Sequence, residues 1–69
     1  MSYTKIAALV AGRVLPLAGR NSSGEAVVIE GGSEQGAGAF FKVTTAQSNN
    51  WCRVNTYYAS GVQEETYHR

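Results

Sequence analysis

Residues 39–58, AFFKVTTAQSNNWCRVNTYY, decide how the chain folds. Two runs rich in β-branched and aromatic residues flank the polar segment AQSNN at 46–50, the composition of two strands joined by a tight turn. Successive side chains on a strand point to opposite faces. Phe41, Val43 and Thr45 therefore share one face, and Phe40, Lys42 and Thr44 the other. On the second strand Cys52, Val54 and Thr56 lie opposite Trp51, Arg53, Asn55 and Tyr57. Turning Phe41, Val43, Cys52 and Val54 toward a core leaves Phe40, Lys42, Trp51, Arg53, Asn55 and Tyr57 on a single outer face. Outer faces are ordinarily Thr, Ser and Glu. This one is aromatic and basic, which fits either a second core layer covered by the N-terminal segment, with the Lys42 and Arg53 heads reaching water at the edges, or a contact surface for a partner.

Working outward, turn chemistry recurs in AGRNSSGE (18–25), GGSEQGAG (31–38) and ASG (59–61). Between these lie two further strand-like runs, EAVVIE (25–30) and VQEETYHR (62–69). Short connections between such segments predict an antiparallel meander. The expected fold is mainly β: one small domain over residues 1–69, built as an antiparallel sheet or barrel of four or five strands.

The N-terminal run reads two ways. Ile6, Leu9, Val10, Val14 and Leu17 fall at helical spacing, with Arg13 interrupting the stripe; Ser2 would cap such a helix and Pro16 end it. Gly12 weakens a helix, and Val10 and Val14 favour a strand. As a strand, residues 6–17 are apolar on both faces and demand burial on both. The β-branched residues tip the reading toward a strand, with a helix packed on the sheet as the alternative. In either form the segment supplies the main packing or subunit contact.

Composition limits the possibilities. A chain of 69 residues hides only about 60% of its unfolded surface. Cys52 is its one cysteine, so no internal disulfide reinforces the core. An unusually good small core or self-association remains as the source of stability, and the apolar N-terminus favours the second. Net charge is +1, which exerts no global pull on nucleic acid or anionic membrane. The apolar run 6–18 is too short to span a bilayer and is broken by Arg13 and Pro16. Cleavage after it, as in a signal peptide, would leave a shortened chain with one thiol, too little for a secreted domain. The expected setting is the cytoplasm, or a particle assembled from it, so the NSS sequon at Asn21–Ser23 carries no weight.

Catalytic and metal chemistry find little support. The chain has one Cys, one His and no Asp, against the three or four clustered ligands of a zinc site. Cys52 and His68 would need an orienting third group to act as a nucleophilic pair. Glu64 and Glu65 are adjacent, so a strand sends them to opposite faces. The glycines of 31–38 run into a strand-like segment without the Gly-Lys-Ser/Thr that a phosphate loop requires. No catalytic residue, metal or cofactor is expected.

The sequence thus points to a non-enzymatic, homo-oligomeric interaction or structural module, of the small accessory or virion and appendage type. It would bind itself, or a protein partner, through Phe40, Lys42, Trp51, Arg53, Asn55 and Tyr57, with Tyr58 and Tyr67 extending the surface. The alternative is a single-stranded nucleic-acid or nucleotide-binding protein that uses the same aromatics as a stacking platform, or a small anionic ligand held by Arg53.

Overall fold

A computed structural model describes residues 3–31 and 40–68. A short helix, α1 (Tyr3–Val10), precedes five strands: β1 (Leu17–Arg20), β2 (Ala26–Gly31), β3 (Phe40–Ala46), β4 (Trp51–Tyr58) and β5 (Gly61–His68). The strands pair antiparallel in the order β1-β2-β3-β4-β5, so the chain is a simple meander. The sheet stays open, with β1 and β5 as its edges. The fold is mainly β, as the composition of the strands predicts. The glycine-rich segment from residue 32, with Ser2, Ala39 and Arg69, lies outside the described residues.

The N-terminal segment takes the helical alternative. A strand over 6–17 needs cover on both faces, which one five-stranded sheet does not provide. A helix needs cover on one stripe only. Ile6 and Val10, one turn apart, are the residues of α1 that become buried, at 0% and 7% exposure. They pack on Ile29, Phe41, Val43 and Tyr57, with Tyr3, Ala7, Leu15, Leu17 and Val27 around them. The Tyr3 ring sits tilted on Phe41, centroids 5.1 Å apart. Full burial of an Ile or Phe side chain stabilises by roughly 1.5–3 kcal/mol. The helix stops before Pro16, because Gly12 takes a left-handed φ of 73° and the Arg13 N–H closes back on the Val10 carbonyl. Val14, part of the predicted helical stripe, is therefore outside the helix and 88% exposed.

Strand β1 occupies residues expected to begin the 18–25 loop. The actual turn is shorter and is organised by Asn21. Its side-chain oxygen accepts hydrogen bonds from the Ser23 and Glu25 amides, and its amide nitrogen donates to the Glu25 carboxylate. Gly24 supplies the left-handed residue, at φ 82°.

The faces of the β3–β4 hairpin differ from the sequence expectation. Gln47 and Ser48 both donate to the Trp51 carbonyl, and Gln47 faces Trp51 across a loop of residues 48–50. An odd loop makes odd-numbered residues face odd-numbered ones: Phe41↔Tyr57, Val43↔Asn55, Thr45↔Arg53. Phe41 and Val43 thus share their face with Trp51, Arg53, Asn55 and Tyr57, and not with Cys52 and Val54. A change of one residue in pairing moves every side chain to the other face. The single outer face expected from alternation is in fact divided between the two sides of the sheet.

Candidate functional site

Alternation and register place Trp51, Arg53, Asn55 and Tyr57 on the side that carries α1, and Phe40 and Lys42 on the other. Tyr57, expected to point outward, is a core residue at 6% exposure beneath the helix. Two surfaces follow from this division.

The first lies on the helix side. Eight residues of helix cover one end of the sheet and leave the other end open as a groove of about 570 Å³. Its polarity changes along its length, because each cross-strand row has its own character. The row nearest the helix carries Leu17, Ile29, Val43 and Asn55; the next carries Gly19, Val27, Thr45 and Arg53. One end of the groove is therefore apolar and the other is polar. At the polar end the Arg53 guanidinium sits 5.8 Å from the centre of the Trp51 ring, and Trp51 stacks on His68 with centroids 5.8 Å apart and planes 17° from parallel. Arg53 Nε lies 3.6 Å from Glu64 Oε1, an ionic contact too long for a hydrogen bond. The Asn55 side-chain amide donates to the same Glu64 oxygen. Both charged side chains are substantially exposed, so their attraction is largely screened.

The second surface is the opposite face of the sheet, over which no described element packs. Phe40 and Tyr58 meet across β3 and β4, ring centroids 6.3 Å apart. Tyr67 on β5 is 51% exposed and donates its hydroxyl hydrogen to Glu65. That hydrogen bond, reinforced by the carboxylate charge, raises the Tyr67 phenol above its ordinary value. A shallow depression of about 250 Å³ runs between these aromatics over Val54 and Lys42. Val54 is buried by its neighbours on the sheet and does not belong to the core beneath α1.

No protein-family model matches the chain, and neither the curated proteins nor the solved structures return a significant match. The surfaces must therefore be read from their own chemistry.

Cys52 is half-buried and pairs with Tyr67, whereas His68 pairs with Trp51, so thiol and imidazole lie on opposite faces of the sheet. They form no dyad. Glu64 and Glu65 also diverge, toward Arg53 and Tyr67 respectively. Among the described residues, no three His, Cys or Glu side chains gather as metal ligands, and no helix is long and apolar enough to cross a membrane. Two contributors escaped the sequence reading. Glu64 became the partner of Arg53 through the β4–β5 register, and Arg13 reached the rim of the groove through the linker after α1. Neither placement leaves a signal in local composition.

Proposed function

We propose that this chain is a non-enzymatic interaction or structural module that associates with a second copy of itself through the sheet face opposite α1. The observation that carries this reading is the aromatic character of that face, which no described element covers: Phe40 and Tyr67 are exposed on it, with Tyr58 and Val54 beside them. Contiguous apolar surface of this kind marks association sites. The face also carries Lys42 opposite Glu30, with Glu65 on β5, so charges of both signs lie on it. A surface of mixed sign suits a two-fold contact, in which one patch must complement itself. Two sheets packing face to face interleave side chains as in a β-sandwich. A small accessory or particle component, made and assembled in the cytoplasm, fits this description. Sedimentation over a wide dilution range tests it. The wild-type mass should exceed the 7.4 kDa of one chain and fall on dilution, and Phe40→Glu should be a folded monomer. A wild type monomeric at every concentration, or an unchanged assembly in Phe40→Glu/Tyr67→Glu, defeats the reading.

The stack of His68 on Trp51, with Arg53 beside it, supports a second reading as a platform for single-stranded nucleic acid or a nucleotide. Glu64 beside Arg53 and the net charge of +1 weigh against it. Titration of a single-stranded oligonucleotide at several salt concentrations decides the matter. Affinity that falls steeply with salt supports the platform, and no binding at low salt removes it.

A further inference from the structure

We propose that the groove beside α1 is a binding site for a small amphipathic anion, an apolar body ending in one carboxylate or phosphate. The site lies on the face opposite the proposed self-contact and does not depend on it.

Three observations carry the assignment. The volume, about 570 Å³, is that of a small-molecule site. The floor is graded: Leu17, Ile29 and Val43 line the end under the helix, and Thr45 and Arg53 line the other. A ligand apolar at one end and charged at the other matches that gradient in a single orientation. Finally, Arg53 is held in place by Trp51 and Glu64 without a hydrogen bond at Nε. Trp51 supports its guanidinium at 5.8 Å and Glu64 forms an ionic contact 3.6 Å from Nε, an atom that has no hydrogen-bond partner among the described residues. A guanidinium has five N–H donors in a planar fork that fits the oxygens of a carboxylate or phosphate. Arg13 adds a second cation on the rim. The groove's own carboxylate, Glu25, accepts a hydrogen bond from the Asn21 side chain and so is engaged in the β1–β2 turn. Glu64 offsets part of the Arg53 charge from β5, and the groove lining still carries Arg53 and Arg13 against the engaged Glu25, so its surplus charge is positive and favours an anionic occupant.

Methyl-detected NMR of the full chain tests this with four probes: octanoate, octyl phosphate, 1-octanol and octylammonium. Octanoate and octyl phosphate should shift the Ile29 and Val43 methyls saturably, and the tighter of the two identifies the head group. Octanol and octylammonium should bind about tenfold more weakly or worse, since the alcohol offers one neutral acceptor in place of two charged oxygens and the ammonium offers none. Arg53→Gln should weaken octanoate to the level of octanol while leaving the spectrum of the free protein folded. Arg13→Gln, outside the sheet, should weaken it less. Equal binding of all four probes, or shifts confined to residues around Phe40 and Tyr58, overturns the proposal. So does the absence of saturable shifts with either anion. A monomeric protein that still binds octanoate would separate this site from the self-association reading.

Discussion

Both faces of the sheet bear aromatic side chains, Phe41, Trp51 and Tyr57 on one and Phe40, Tyr58 and Tyr67 on the other, but their surroundings differ. On the helix side Phe41, Tyr57, Ile29 and Val43 are closed over by Ile6 and Val10 and form the core of one chain. On the far side Phe40, Tyr58 and Tyr67 surround Val54 without a described element above them. Phe40 and Phe41 are neighbours in sequence, at 39% and 1% exposure. The described residues include one short helix, which covers one face, and on the proposed reading the hydrophobic residues of the second face serve association. Hydrophobic character alone does not distinguish core from contact surface; cover does.

The strongest way to break this contrast is to truncate each phenylalanine in turn. Phe41→Ala should cost about 3–5 kcal/mol in chemical denaturation, enough to unfold much of so small a domain. Phe40→Ala should cost under about 1 kcal/mol in the single chain, and should act mainly on assembly. Similar losses from both would mean that the far face is also core. Gly31 comes next. It ends β2 at φ 84°, and a Cβ there would stand 2.9 Å from the Phe40 ring. Gly31→Ala should therefore lose about 1–2 kcal/mol, read as a lower denaturation midpoint, because a side chain in left-handed backbone is strained. The smallest effect concerns Tyr67. Its raised value means that the folded chain holds the phenolic proton more tightly than the unfolded chain. The associated stability is present below pH 10 and is lost as pH rises through the folded value. Absorbance titration of Glu65→Gln should move the Tyr67 midpoint back toward 10.0, since the hydrogen bond and charge of Glu65 are the main causes. No movement would detach Tyr67 from Glu65.

Much of the sheet is legible in residue types alone. The runs at 25–30, 39–45, 51–58 and 62–69 lie within about a residue of β2 to β5, because β-branched and aromatic residues mark a pleated, half-buried surface. Strand β1, LAGR, has no such mark; it forms because Leu17 pairs with Ile29 and extends the core. The helix was hidden by Val10 and by Gly12 and Val14 just beyond its end, and tertiary cover decided between the two forms. The candidate surface was half legible. Its residue types were visible, but its division was not. Phe41 beside Val54 and Phe41 beside Tyr57 are equally hydrophobic pairings, and alternation cannot choose between them. The choice rests on how many residues turn the corner between β3 and β4.

That corner, Ser48 to Asn50, has a consequence for how this protein can vary. Substitutions there leave the odd count intact, and a hydroxyl that accepts from the Asn50 amide is the chief local feature to preserve. Gain or loss of one residue is a different event. It would exchange the contents of the two sides, turning Trp51, Arg53 and Tyr57 outward and bringing Cys52 and Val54 beneath the helix, with no side chain altered. Homologous chains should therefore drift freely in the letters of this loop while holding its length, or changing it by two. In such a lineage the spacing of the hairpin is the inherited character.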